Sequence, residues 1–188
     1  MKKRLFIAIN FPENIKDKIE KALEKIKHLF TDDVRFIGRA QWHITVTFLG
    51  YQGDEFLHPV IKAMEKAVKN LPAQKIEFAD LDYGPKGGPK RMLWLNAAPE
   101  TSKLLAVIKE DLENDLMDQG VIFKKEHRQF RVHITLARFL TRQNLPEIAR
   151  PLPLNFEADS LDMMESHLKR AGAEYEILQK IPFTEYNE

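Results

Sequence analysis

Two short segments of this 188-residue chain repeat each other, His43-Ile44-Thr45-Val46 and His133-Ile134-Thr135-Leu136. Each lies in a run rich in β-branched and aromatic residues, Trp42 to Leu49 and Val132 to Phe139, and so reads as part of a strand. Side chains alternate faces along a strand. His and Thr therefore share one face, while Ile44 and Val46, or Ile134 and Leu136, share the other. The repeat demands two strands that each bury one face and present an imidazole beside a hydroxyl on the other. The offset of 90 positions from one histidine to the other leaves room for one lobe, so two facing lobes could bring both pairs into one cleft.

The rest of the pattern fits that frame. Arg4 to Phe11 reads as a buried strand, and after Pro12 the residues Ile15, Ile19, Leu23, Ile26 and Phe30 recur at helical spacing. Val34 to Ile37 is β-rich. Gly50 to Gly53 ends the first motif strand, and Phe56, Val60, Met64, Val68 and Leu71 restore a helical period up to Pro72. Lys75 to Tyr83, the turn Gly84 to Pro89 and Met92 to Ala97 read as a β-hairpin. Leu104, Leu105, Ile108, Leu112 and Leu116 mark a helix stopped near Gly120, Val121 to Lys125 reads as a strand, and Phe156 to Met164 with Glu174 to Pro182 reads as a last pair. Hairpins mixed with helices favour α+β with antiparallel pairing over a doubly wound parallel sheet. The length suits one domain of two packed lobes spanning residues 1–188.

Composition excludes several classes of function. The 29 Lys and Arg against 28 Asp and Glu leave a formal charge of +1, too little for strong sequence-independent binding to a long polyanion, so any nucleic-acid contact is local. No apolar run approaches the roughly 20 residues that span a bilayer, and the N-terminal segment lacks a cleavable signal pattern, so a cytoplasmic protein that avoids membranes is expected. The absence of cysteine removes thiolate nucleophiles, thiolate metal ligands and disulfides, leaving His, carboxylates and hydroxyls for chemistry. Zinc needs three or four protein ligands and no His-Glu-x-x-His pattern is present, so no metal and no cofactor is expected.

Imidazole titrates near 6.5, so at neutral pH one histidine can hold a proton while its partner lacks one, as a paired acid and base requires. In phosphodiester hydrolysis His43 and His133 could divide those roles, each contributing on the order of 10²- to 10⁴-fold. Thr45 and Thr135 can donate to non-bridging phosphate oxygens, and Arg138 can add a charge-assisted fork. Strict alternation places Arg138 on the opposite face from His133 and Thr135, so a bulge or strand end near Ala137 is needed.

These residues resemble the 2H phosphoesterases, whose signature is two copies of His-x-Thr-x. The likeness is strongest to the bacterial and archaeal RNA 2′,3′-cyclic phosphodiesterases, once called 2′-5′ RNA ligases. It runs through Arg4-Leu5-Phe6-Ile7-Ala8-Ile9, His43-Ile44-Thr45-Val46-Thr47-Phe48-Leu49-Gly50, Pro89-Lys90-Arg91-Met92-Leu93-Trp94-Leu95, His133-Ile134-Thr135-Leu136-Ala137-Arg138, Ser166-His167-Leu168 and Gly172-Ala173-Glu174-Tyr175. The resemblance implies a two-lobed α+β fold with pseudo-twofold symmetry, antiparallel sheets flanked by helices, and a cleft between the lobes. It further implies metal-independent opening of a 2′,3′-cyclic phosphate to a 2′-phosphate, with possible reverse 2′-5′ ligation. His43 would protonate the leaving 3′ oxygen, His133 would activate water, and Thr45, Thr135 and Arg138 would hold the phosphate. The expected partners are RNA ends or small cyclic-phosphate nucleotides. No obligate protein partner is implied, and a monomer is expected. The chain departs from its relatives at Val132, where Pro is common, and at Thr47, where a larger or basic residue is common. Both bear on substrate preference.

Plainer readings exist for every one of these residues. A lone strand histidine is usually structural, strand threonines are common because they are β-branched, and Arg138 could be a surface cation. A phosphodiesterase acting on a small cyclic nucleotide and a non-catalytic RNA-end-binding module are the alternatives to an RNA-end enzyme. His28, His58, His127 and His167 lack a repeated context and read as surface or local structural residues. Trp42, Phe48 and Trp94 could stack on a base but more simply fill a core, and strict alternation puts Phe48 on the far face from Thr45. Lys86, Lys90 and Arg91 sit on or beside the Gly84 to Pro89 turn, within reach of an RNA backbone.

Overall fold

In the computed structural model, which describes residues 2–31, 33–126, 128–140, 145–148, 150–169 and 172–184, the chain forms nine strands and three helices in the order β1 (Lys2–Asn10), α1 (Glu13–Lys27), β2 (Arg35–Phe36), β3 (His43–Gly53), α2 (Leu57–Val68), β4 (Gln74–Gly84), β5 (Met92–Ala97), α3 (Pro99–Asp118), β6 (His133–Arg138), β7 (Arg150–Ala158), β8 (Ser160–Lys169) and β9 (Gly172–Pro182). They make two antiparallel sheets, β3-β1-β8-β9 and β2-β6-β5-β4-β7. His127 lies outside the described residues. The α+β class with antiparallel pairing is as expected.

Each sheet buries one face against helices. Ile15, Ile19, Leu23 and Ile26 line the buried stripe of α1, and Leu105, Ile108, Leu112 and Leu116 that of α3. In β1 the run Leu5 to Ile9 is buried on both faces. Leu5, Ile7 and Ile9 join the main core, whereas Phe6 and Ala8 pack with Met164 and Tyr175 on the opposite, concave side. The unit β1-α1-β3 recurs as β5-α3-β6, and both helices open on Pro-Glu, Pro12-Glu13 and Pro99-Glu100. The halves also exchange a strand: β4 pairs with β5, and β8 returns to pair with β1.

Both motif strands carry a bulge at the same place. Ile7 faces Thr47 and Ala8 faces Thr45, leaving Val46 as the extra residue; Leu93 faces Ala137 and Trp94 faces Thr135, leaving Leu136. The Leu136 carbonyl accepts Ile37 N–H at 2.8 Å. In consequence Val46 and Thr47 are both buried before Phe48 emerges, and Leu136 and Ala137 are both buried before Arg138 emerges. The bulge needed to bring Arg138 onto the His133 face is present. Its counterpart corrects the expectation for Phe48, which shares the His43 face. Thr47 points away from the cleft, where its hydroxyl donates to Glu113 Oε1 at 3.2 Å and accepts from Lys109.

Three other expectations are corrected. Val121 to Lys125 is not a strand: Val121 N–H closes the end of α3 onto the Leu116 carbonyl and Ile122 is 82% exposed. Phe156 to Met164 is two strands, because the chain leaves one sheet at Ala158 and enters the other at Ser160. Gly50 to Gly53 does not end β3, which runs on to pair with Lys2.

Glu113 is 2% exposed and is held by Lys109, Thr47 and, at 3.9 Å, Lys125, tying α3 to β3. Removing one partner of a buried ion pair strands the other, so Glu113→Ala should lower stability by about 3–5 kcal/mol. Lys109→Met combined with Glu113→Leu should lose less, measured by urea unfolding; equal losses would show that the pairing does not matter.

Candidate active site

The two motif histidines are placed by the same local device. His43 Nδ1 lies 2.8 Å from the Gln41 carbonyl and His133 Nδ1 lies 2.8 Å from the Arg131 carbonyl, each two residues upstream. A carbonyl can only accept, so Nδ1 carries the hydrogen in both rings and Nε2 is left to exchange protons. His43 Nε2 stands 3.0 Å from the Thr45 hydroxyl. The alternation of β3 thus sets imidazole and hydroxyl side by side, as the spacing implies.

Aromatic rings hold both imidazoles. Phe6 and Tyr175 each bring their ring centres to 5.0 Å from that of His43, Tyr175 edge-on. His133 lies over Trp94 with centroids 4.0 Å apart and planes 31° apart. This burial pushes His43 down to about 4, partly offset by the Gln41 carbonyl. Burial also lowers His133; the Arg131 carbonyl opposes it, Arg128 reinforces it and Glu126 opposes it. Both rings are therefore neutral at rest near pH 7.

A cavity of about 460 Å³ opens beside His43, and its wall includes Arg138 from the second motif as well as Phe6, Phe48 and Tyr175. The structure thus brings residues of both motifs together, since β3 and β6 approach each other across the concave sides of their sheets. His133 and Thr135 lie outside that wall, on the same face of β6 as Arg138. The Val132 N–H donates to Ser102 Oγ at 3.2 Å, a bond that proline could not make.

One symmetric feature escaped the sequence reading. Asn10 stands opposite His43 and Asn96 opposite His133 in strand register. Asn10 Nδ2 donates to Asp162 Oδ2 at 2.6 Å, and Asn96 Nδ2 to Asp80 Oδ1 at 2.8 Å. The signal was an Asn at or next to the end of a strand shortly before Pro-Glu, in Asn10-Phe11-Pro12-Glu13 and Asn96-Ala97-Ala98-Pro99-Glu100. Trp42 is core, with Nε1 donating to the Ile37 carbonyl at 3.0 Å. Lys86 pairs with Asp82, and Lys90 donates to the Pro85 carbonyl at 3.0 Å, so both are engaged within the hairpin turn. His28 and His58 are exposed. Among the described residues, Glu165, His167 and Glu176 are close enough to share a cation. They lie on the face of β8 and β9 away from the cleft, where the Lys3 ammonium already sits 2.8 Å from Glu165. No helix among the described residues is long and apolar enough to cross a membrane.

Comparison with known proteins places this geometry. The family model described as the 2′-5′ RNA ligase superfamily matches residues 15–170. A Methanocaldococcus jannaschii protein named RNA 2′,3′-cyclic phosphodiesterase is 28% identical over 184 residues, covering 94% of this chain and 99% of that protein. An Aeropyrum pernix protein of the same name is 26% identical over 149 residues, covering 74% of this chain and 81% of that one. Among solved structures, a Thermus thermophilus protein superposes with a TM-score of 0.78 at 23% identity, covering 96% and 97% of the two chains. Escherichia coli LigT complexed with 3′-AMP superposes with a TM-score of 0.74 at 21% identity, covering 98% of this chain and all of that one.

Gly84 lies directly against the Trp94 ring, where a Cβ would collide with it. Gly84→Ala must therefore shift the ring on which His133 rests. Its turnover should fall about tenfold or more with the fold retained, since small misplacements of a reacting group are costly. An unchanged kcat, with folding checked by circular dichroism, would show that the stack does not place His133.

Proposed function

Because the chain belongs to the 2′-5′ RNA ligase superfamily of 2H phosphoesterases, we propose that it hydrolyses RNA 2′,3′-cyclic phosphate ends to 2′-phosphomonoesters, with both sheets acting as one catalytic domain. The observation that carries this reading is the matched pair of imidazoles, each with Nδ1 fixed to a backbone carbonyl and Nε2 left to exchange protons, on two strands that both contribute to the wall of one cavity through His43 and Arg138. The names of the archaeal relatives and the 3′-AMP bound by LigT point to the same substrate class.

The asymmetry of the cleft supports one division of the roles. The leaving 3′ oxygen belongs to the terminal ribose, so the nucleoside must sit on the side of the acid, and the attacking water approaches phosphorus from the opposite side. The cavity lies beside His43, whereas His133 lies outside its wall, over the Trp94 ring. In this mechanism His133 Nε2 takes a proton from water as the new O–P bond forms, and His43 Nε2 gives a proton to O3′ as its bond to phosphorus breaks. Thr45, Thr135 and Arg138 hold the non-bridging oxygens, where charge is carried in the transition state. A histidine pushed down to about 4 is scarce as imidazolium at neutral pH but strong as an acid once protonated. Binding of the phosphate anion favours that protonated form. Run backward with the roles exchanged, the same groups join a 5′-hydroxyl to the cyclic end through a 2′-5′ linkage.

An RNA oligonucleotide ending in a 2′,3′-cyclic phosphate should be opened in the presence of EDTA, with the 2′-phosphate as product. His43→Ala and His133→Ala should each abolish turnover without unfolding the chain. Formation of the 3′-phosphate would make O2′ the leaving oxygen and overturn the proposed product, and wild-type rates in either variant would remove that histidine from the acid and base pair.

The pH profile offers a separate check. The competent enzyme carries one imidazolium, and both free-enzyme histidines titrate below 6.5. As pH rises above that value the singly protonated fraction falls, so kcat/KM should decline steadily from pH 6.5 to 8, while the limb on kcat lies at higher pH. An optimum of kcat/KM above pH 7.5 would contradict neutral histidines at rest.

A further inference from the structure

The cavity beside His43 has more cationic lining than one phosphate requires. Among the described residues Arg4, Arg35 and Arg138 all line it and no carboxylate does, in a chain whose formal charge is only +1. Arg138 follows the second motif and serves the reacting phosphate in the mechanism above. Arg4 stands elsewhere. Ala8 is opposite Thr45 in register and Arg4 is opposite Tyr51, four residues further along β1, which is about 13 Å at a strand rise of ~3.3 Å per residue. That backbone spacing sets Arg4 well along β1 from the residue that faces Thr45.

The surroundings of Arg4 are those of an anion site. Its Nη1 donates to Ser166 Oγ at 3.2 Å, which fixes the guanidinium from β8 and uses one of its five N–H groups. Arg35 reaches the same cavity from the other sheet, with its guanidinium against Gly172 at the start of β9. Phe48, 55% exposed, lines the cavity, and Tyr51, 63% exposed, stands opposite Arg4 in strand register; both offer a ring on which a base could stack. A cationic path lined with exposed aromatic rings is the arrangement that holds single-stranded nucleic acid.

We propose that Arg4 and Ser166, with Arg35 across the cavity, form a second phosphate subsite. It holds the 5′-phosphate of the terminal nucleotide, the group that joins that nucleotide to the rest of an RNA strand. This rests on the reading of the cleft as a cyclic phosphodiesterase. The subsite makes RNA ends, rather than free nucleoside 2′,3′-cyclic phosphates, the preferred substrate class. Selection then needs no base contact and no long basic surface.

The test compares adenosine 2′,3′-cyclic phosphate with the same nucleotide carrying a 5′-phosphate. In the wild-type protein the 5′-phosphate should raise kcat/KM about tenfold or more, chiefly through KM, and the gain should shrink as NaCl rises from 50 to 200 mM. In Arg4→Gln the two substrates should differ by less than twofold, and Arg4→Lys, which keeps charge but loses the fork, should fall between. Equal use of both substrates by the wild type overturns the subsite while leaving the cyclic phosphodiesterase reading intact. A gain that survives Arg4→Gln, or that stays at its full wild-type size in Arg4→Lys should the former not fold, overturns the placement. Hydrolysis of neither substrate overturns both readings together.

Discussion

The extra residue that the two motif strands carry at equivalent positions, Val46 and Leu136, determines what the cleft can hold. Without the bulges at Val46 and Leu136, period-two alternation would turn Phe48 and Arg138 into the core and would leave His and Thr alone on the concave side. With them, the first copy presents His43, Thr45 and an aromatic ring, and the second presents His133, Thr135 and a guanidinium. Equivalent positions in the two halves thus carry different chemistry on one backbone plan. The asymmetry that a directional reaction needs comes from side chains, and the symmetry that brings two imidazoles together comes from the backbone.

The immediate surroundings of the two histidines follow the same division. Each Nδ1 is satisfied by a carbonyl two residues upstream, a bond that any side chain at positions 41 and 131 leaves in place because it uses only backbone. The rings that press on the imidazoles differ: Phe6 and Tyr175 come from the central strands and closing hairpin of one sheet, Trp94 from the middle of the other. Orientation is therefore shared, while dielectric surroundings are set separately in each half. The buried Glu113 with Lys109 and Thr47 lies on the far side of β3, where Thr47 is turned by the same bulge that frees Phe48.

Much of this was legible in the chain because period and punctuation agree. The stripes of α1 and α3, the hairpin around Gly84 and the repeated His-x-Thr are local patterns whose physics needs no distant partner. Alternation also gave the right conditional statement about Arg138, that a bulge must intervene. It failed for Phe48 because bulges break the very period on which the face of a residue is judged, and the equivalence of the two copies was not carried through to positions 48 and 138. Val121 to Lys125 has strand-like residues but finds no edge to pair with. The boundary at Asp159 was invisible because Phe156 to Met164 is apolar on both sides of a change of sheet. The Asn10 and Asn96 pairs depend on carboxylates from strands far along the chain, Asp162 and Asp80.

The exchange of β4 and β8 between the halves bears on how the molecule is made. β1 lies inside its sheet, paired on one side with β3 and on the other with β8, whose residues lie more than 150 positions later. During synthesis the first sheet therefore stays open along one edge of its central strand until nearly the whole chain has left the ribosome. An apolar strand waiting that long is a template for intermolecular pairing. The neighbouring half cannot supply a substitute, since the strand that follows the first motif is already committed to the second sheet. Such a chain is expected to fold late and as one unit, and its non-local pairings place it among the slower folders for its size.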